Sequence, residues 1–252
     1  MNDRVLAALE GGVLTATLNR PDKKNAIDTP MIDALLAVLE RADLDAAVHV
    51  VAVRGAGGDF CAGMDLNELL ASADKGVEEN RQAALHFADI FVRMRRLPKP
   101  IVAVVQGRAL AGGCGLATAC DVVLATESAK FGYPEVQRGF VPAIVMTLLK
   151  RAAGEKVAFD LAITGRILGG SEAAALGLVS RVFEDSDFED QVGKVLRALA
   201  AASASALALT KQQFYQLDGL RFEDGIRLGA DVNAVSRTTP DFRAALQAFL
   251  NT

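Results

Sequence analysis

Hydrophobic and polar positions along this chain alternate between two periods, and the changes of period outline its elements. Residues 13–18 (Val-Leu-Thr-Ala-Thr-Leu) read as a short strand, closed by the turn cluster Asn19-Arg20-Pro21-Asp22. Met31, Leu35, Leu36, Val38 and Leu39 then recur at helical spacing. The valine-rich residues 48–53 predict a strand buried on both faces, followed by the flexible loop Gly55-Ala56-Gly57-Gly58-Asp59. A long helix is predicted over 79–97, stopped by Pro98 and Pro100. Further buried strands are predicted at 101–105 and 122–125, on either side of a glycine-rich segment, 107–115. Alternation of strand and helix implies parallel pairing with right-handed crossovers.

From about Asp187 the texture changes. No strand pattern remains, and Ala/Leu-rich stretches at 187–203, 205–217, 222–238 and 241–250 predict helices. The expected organisation is an α/β body over 1–186 and a helical region over 187–252, packed on the body or on a neighbour. That region is more apolar than an isolated helical hairpin tolerates, which points to burial by association.

Composition narrows the function classes. The 252 residues carry 27 basic and 31 acidic side chains, a formal charge of −4, with 51% hydrophobic and 23% charged residues. Such a chain can build its own core without a metal or disulfide staple. Mild acidity argues against a nucleic-acid or anionic-membrane surface, either of which needs clustered basic charge. No apolar stretch reaches the ~18–20 residues of a membrane span. The N-terminus has neither a basic n-region nor a sustained apolar core, so no signal peptide is expected. Cys61, Cys114 and Cys120 show no Cys-x-x-Cys spacing and read as free thiols, consistent with a cytoplasmic protein. With only His49 and His86, no His/Cys zinc site is expected.

Three segments carry candidate chemistry. Phe60-Cys61-Ala62-Gly63-Met64-Asp65-Leu66 follows the strand at 48–53, where α/β sheets bind ligands; its plainer reading is a tight turn with Asp65 near a helix start. Gly107-Arg108-Ala109-Leu110-Ala111-Gly112-Gly113-Cys114-Gly115-Leu116 could bring backbone N–H groups close to a ligand, or merely allow close packing. It fits neither a dinucleotide loop nor a P-loop. Phe131-Gly132-Tyr133-Pro134-Glu135-Val136, continuing through Gly139-Phe140-Val141-Pro142-Ala143, places a lone glutamate among apolar residues, where burial would raise its pKa and suit it to acid–base work. An exposed loop glutamate is the commoner case.

Other coincidences count for little. Ser72-Ala73-Asp74-Lys75 matches Ser-x-x-Lys without a supporting Lys-Thr-Gly, and no Gly-x-Ser-x-Gly elbow occurs. His86 reads as a packing or surface histidine. Met94-Arg95-Arg96 with Lys99 reads as a solvated helix end, and the Phe242, Leu246, Phe249 stripe as core or interface.

Taken together and in order, the three segments resemble the crotonase superfamily of enoyl-CoA hydratases and isomerases. The likeness runs from Leu18-Asn19-Arg20-Pro21 through Thr164-Gly165 and Ala174-Ala175-Leu176-Gly177-Leu178-Val179 into the helical region. It implies a spiral of ββα units with a C-terminal helical trimerisation region, and a homotrimer or dimer of trimers. It also implies an acyl-CoA thioester substrate, with no metal, redox cofactor or covalent intermediate. Carried onto this chain, the oxyanion-hole amides fall on Met64 and Gly112. Ala62, Met64, Asp65, Leu66, Asn67 and Gly112 would line the CoA path, with Lys23 or Lys24 as a phosphate contact. Glu135 matches the second of the hydratases' two glutamates, whereas Gly115 stands at the first.

A single glutamate suits a Δ3-Δ2 isomerase, which shuttles one proton between C2 and C4. The segment from Glu135 to Ala143 more closely resembles hydratases, and hydratase is placed ahead. A non-catalytic CoA-ester binder is the alternative from another class. A serine protease on a related fold lacks a Ser-His-Asp set. Gly115 is expected to enlarge the pocket for a water or a branched acyl group. The chain stops at Leu250-Asn251-Thr252 without the basic, Pro- and Phe-containing tail of many members, so the adenine contact is expected to differ.

Overall fold

Strand Val5–Glu10 (β1) turns back through Gly11-Gly12 onto Val13–Leu18 (β2), antiparallel, with Val5 opposite Leu18 and Glu10 opposite Val13. The computed structural model describes residues 3–251. β1 is invisible in the hydrophobic pattern because only Val5 of its six residues is buried. Helix Thr29–Leu44 (α1) is capped by Asp28, whose carboxylate accepts from Met31 N at 3.0 Å, and its apolar stripe faces inward as predicted.

Then come Val50–Gly55 (β3), Leu66–Ser72 (α2), Val77–Arg96 (α3), Ile101–Val105 (β4), Arg108–Leu110 (β5), Gly112–Ala119 (α4), Val122–Thr126 (β6) and Lys130–Gly132 (β7). A 3-10 turn at Pro134–Arg138 leads into Val145–Thr164 (α5), Ile167–Gly169 (β8), Gly170–Ala175 (α6) and Arg181–Phe183 (β9). The chain closes with Phe188–Ala201 (α7), Ala204–Gln216 (α8), Phe222–Ser236 (α9) and Pro240–Leu250 (α10).

The main sheet runs β1-β2-β3-β4-β6-β9, parallel throughout except for the first pair, and a smaller sheet runs β5-β7-β8. Period-2 geometry sends Val51, Val53, Ile101, Ala103, Val105 and Val123 to a core shared with α1 and α3. It sends Val50, Ala52, Val102, Val104 and Leu124 to the opposite face, where Phe188, Val192 and Ala200 of α7 cover them. Within the helical region 187–252, α7 therefore packs on the body. α7 belongs to the body, because without it one face of β3, β4 and β6 would lie open. His49 supports this docking through Nδ1, 2.7 Å from Ala200 O.

α8 is anchored by a buried lysine that the sequence pattern does not reveal. Lys211 Nζ donates to Met94 O (2.9 Å) and Lys99 O (3.0 Å) and pairs with Asp121 Oδ2 at 2.7 Å, while Tyr215 OH donates to Asp121 Oδ1 at 2.6 Å. The basic cluster read as a solvated helix end is part of this anchor. Arg95 stacks over the Tyr215 ring at 4.2 Å and pairs with Asp218, and Lys99 Nζ donates to Ala42 O and to Asp45 O. Asp121→Ala would leave the Lys211 ammonium buried without its counter-charge, a loss of about 3–5 kcal/mol. Denaturant unfolding measures it, and wild-type stability in that variant would show the pair to be unimportant.

α9 and α10 bury no residue within the chain, and Phe222 and Phe249 are each 79% exposed. The accessible surface is 13536 Å², against about 10,700 Å² for a monomer of this mass with ordinary shape. Among the described residues, no single helix is long and apolar enough to cross a membrane.

Candidate active site

The three candidate segments converge beyond the carboxyl ends of β3, β4 and β7. Segment 60–66 is stitched to its neighbours by isolated parallel bridges, Ile27 with Met64 and Cys61 with Ala109. Ala62 N donates to Lys24 O at 2.9 Å, and Leu110 N to Cys61 O at 2.9 Å. These bonds leave two amides over. Among the described residues, neither Met64 N–H nor Gly112 N–H donates to an acceptor within the chain.

Their proximity depends on Gly63 and Ala111. Gly63 has φ +98°, and a Cβ there would lie 2.9 Å from Ala111 Cβ, 3.0 Å from Leu110 O and 3.3 Å from Gly112 N. The turn carrying Met64 can approach the start of α4 only because no side chain intervenes. Ala111 itself has φ +51° and ψ −126°, a strained conformation for a residue with a side chain, held by Ala111 N donating to Gly132 O at 2.8 Å. The first turn of α4, its positive end, begins directly after this residue.

Glu135 lies on the 3-10 turn Pro134–Arg138 and is buried. Its Oε2 is shut off from solvent and has no hydrogen-bond partner. Burial raises its pKa above the ordinary glutamate value, opposed by its own backbone N–H and by the positive Arg138. A buried carboxyl with a raised pKa in a cleft is a candidate acid–base group.

All of these groups border one cavity of about 870 Å³. Lys23, Lys24, Ala62, Met64, Asp65, Leu66, Asn67, Gly112 and Glu135, the residues singled out in the sequence, line it. Arg108 and Arg138 join Lys23 and Lys24 on its wall, giving four cations suited to a polyanionic ligand.

Two readings change. Asp65 borders the cavity, but its carboxylate is occupied, with Oδ2 taking Arg20 Nη2 at 2.8 Å and Oδ1 capping α2 through Asn67 N at 2.8 Å. The Arg20 bond is the main reason its pKa lies below the ordinary value. Asp65 thus borders the cavity with its carboxylate already paired. Gly115 does not enlarge the pocket, for it is buried and Val145 occupies the space beside it. A Cβ at 115 would lie 2.1 Å from Val145 Cγ1 and 2.7 Å from Val145 Cβ.

Sequence reasoning missed the clamp behind the loops. Asn25, fully buried with φ +55°, donates through Nδ2 to Ala56 O (2.9 Å) and Asp59 O (2.7 Å), and its Oδ1 accepts from Arg20 N (2.9 Å). It ties the Lys24 turn to the loop after β3. Its only trace in the sequence is an Asn beside the turn cluster, too common a feature to single out.

The remaining candidates fall away. Cys61 and Cys114 are buried thiols pushed by desolvation to about 12 and about 11, so neither is a nucleophile at neutral pH. His86 is a surface residue 2.8 Å from Asp33 Oδ1. Among the described residues, no group of three or more His, Cys, Asp or Glu is arranged to hold a metal ion.

Comparison with known proteins gives the family. The family model described as enoyl-CoA hydratase/isomerase matches residues 8–252. A Thermus thermophilus protein with an enoyl-CoA hydratase name is 40% identical over 95% of both chains. The 1,2-epoxyphenylacetyl-CoA isomerase of Escherichia coli is 31% identical over 99% of this chain and 95% of its own. The crystal structure of a Mycobacterium smegmatis enoyl-CoA hydratase superposes with a TM-score of 0.93 at 30% identity, covering 98% of this chain and 96% of that one. With unpaired amides and a buried glutamate bordering one cavity, and matches along nearly its whole length, the chain belongs to the enoyl-CoA hydratase/isomerase family, the crotonase superfamily.

Proposed function

We propose that this protein hydrates 2-enoyl-CoA thioesters, with the Met64 and Gly112 amides as an oxyanion hole and Glu135 as its acid–base residue. The observation that carries the reading is the buried Glu135 on the wall of the cavity that Met64 and Gly112 also border, with one carboxyl oxygen, Oε2, left without a hydrogen-bond partner. The thioester oxygen accepts from both N–H groups. Glu135 takes a proton from water as the water oxygen adds to C3, and the C2–C3 electron pair moves into an enolate whose charge the amides hold. The protonated Glu135 then returns a proton to C2 and the carbonyl re-forms. Each amide contributes about 3 kcal/mol to the barrier reduction. Because they are main-chain donors, a methionine serves at 64 as well as any other residue. Every step is a proton transfer or a water addition, so the cycle calls for no redox cofactor.

On this reading Lys23, Lys24 and Arg108 meet the phosphates of CoA and Ala62, Leu66 and Asn67 its pantetheine arm, which the position of all six on the cavity wall supports. A second reading, Δ3-Δ2 isomerisation, draws on one specific observation. Val145 fills the space where a second carboxylate would stand, and a 1,3-proton shift needs only one base. Assaying the purified protein on a 2-enoyl-CoA and on a 3-enoyl-CoA separates the two. Tight binding of both with turnover of neither would make it a CoA-ester binder.

The same reading covers α8 to α10 with neighbouring subunits, as a homotrimer or a pair of trimers. The surface excess and the exposed Phe222 and Phe249 support it. Light scattering should give a mass of three or six chains, and a monomer at working concentration would contradict it.

A further inference from the structure

Behind Glu135 lies a buried polar cluster that the proposed chemistry does not use. Tyr133 opens the 3-10 turn that carries Glu135 and is fully buried. Its hydroxyl lies 2.9 Å from Thr118 Oγ1 on α4. Thr118 Oγ1 itself donates to Cys114 O at 2.8 Å, which commits the threonine proton, so the phenol is the donor to Oγ1. Burial holds Tyr133 well above the ordinary phenol range, and it stays neutral and moves no proton. The backbone bond from Ala111 N to Gly132 O joins the same two segments at the other end of α4. Gly112 therefore lies between two tie points on α4, and Glu135 lies two residues beyond the matching pair on the facing segment.

We infer that the Tyr133–Thr118 hydrogen bond is a positioning device that fixes the Glu135 carboxyl relative to the Gly112 amide. Neither residue borders the cavity, so each acts through the group it holds. The turn's side-chain bonds through Gln137 run to Thr164 O and Gly165 O at the C-terminal end of α5, and do not fix it against α4. Enolate chemistry needs the proton carrier and the oxyanion donor in register, and a misplacement of about 1 Å can cost about 10²-fold in rate. The inference rests on the proposed acid–base role of Glu135.

Tyr133→Phe keeps the ring and removes the hydroxyl's bonds to Thr118 and to the Cys114 side chain, while Thr118 retains Cys114 O. With the enoyl-CoA that wild type turns over, kcat should fall about tenfold or more with KM changed less than about twofold. Thr118→Val should reproduce the loss and Thr118→Ser should restore most of it. The double variant Tyr133→Phe/Thr118→Val should be no worse than either single one. A role confined to packing would lower the melting temperature and leave kcat alone. Wild-type kcat in Tyr133→Phe or Thr118→Val, or a loss that Thr118→Ser shares in full, overturns the inference. Glu135→Gln, run alongside, separates the two levels. If it is inactive while Tyr133→Phe is fully active, positioning alone fails. If it keeps full activity, or wild type turns over neither substrate, the acid–base reading falls and the inference with it.

Discussion

Glu135→Gln should lower turnover by about 10²–10⁴-fold and yet raise the thermal midpoint at neutral pH. The first effect follows from removing the proton carrier while keeping its shape. KM should change little, because the CoA contacts and the two amides remain. The second effect follows from burial. In the folded chain the Glu135 pKa is raised, so the folded state holds this proton more tightly than the unfolded state. Below the ordinary glutamate value both states are protonated and the side chain costs nothing electrostatically. As pH rises from there through the raised value, the unfolded chain ionises freely while the folded chain must ionise an unpartnered buried carboxyl, and stability falls. Glutamine removes that penalty, so its stabilising effect is present at neutral pH and fades in acid. Wild-type activity should decline as pH falls through the same raised value, since the base is lost on protonation. Calorimetry and a kcat/KM pH profile test both halves. A variant that melts lower than wild type at neutral pH would show the carboxyl to be structural.

Gly115→Glu, the substitution that supplies the missing family carboxylate, should destabilise the protein by about 3 kcal/mol or more and produce no better hydratase. Its Cβ would lie 2.1 Å from Val145 Cγ1, and Val145 is a buried β-branched residue at the start of α5 with little rotamer freedom to retreat. Removing only the methyls is insufficient, because Val145 Cβ itself would lie at 2.7 Å. Gly115→Glu/Val145→Gly should recover most of the lost stability, and glycine is tolerable there because 145 opens the helix. If the one-carboxylate mechanism limits hydration, the double variant should also raise hydration relative to isomerisation. Thermal melts with paired assays measure this. A soluble, fully stable Gly115→Glu would show that α5 yields more readily than the packing implies.

The strands at 101–105 and 122–125 and the four C-terminal helices were legible because each is a long enough run of one period to bury a face. β5, β7, β8 and β9 were not, since three residues give period-2 alternation nothing to repeat. The candidate site divides along the same line. Glu135 and the two glycine turns show in the local pattern, whereas the groups that aim them are remote. Asn25 reaches across 34 residues to Asp59 O, and Arg20 across 45 to Asp65. Lys211, a residue type expected at the surface, spans 112 positions to Lys99 O.

By itself, then, the sequence determined the parallel α/β body, the helical C-terminal region, and the two turns and one glutamate around which a thioester site can form. The elements and turns follow from hydrophobic periodicity and from backbone conformations open only to certain residues, both local properties, whereas a thioester site at them is what the family resemblance implies. The tertiary structure alone decided that α7 closes the sheet, that Asp65 is held by Arg20, that Val145 occupies the room beside Gly115, and that one carboxyl oxygen is left unpaired. Each of those depends on which side chains distant in the chain compete for the same volume or the same hydrogen bond, and close packing settles that competition only once the chain has folded.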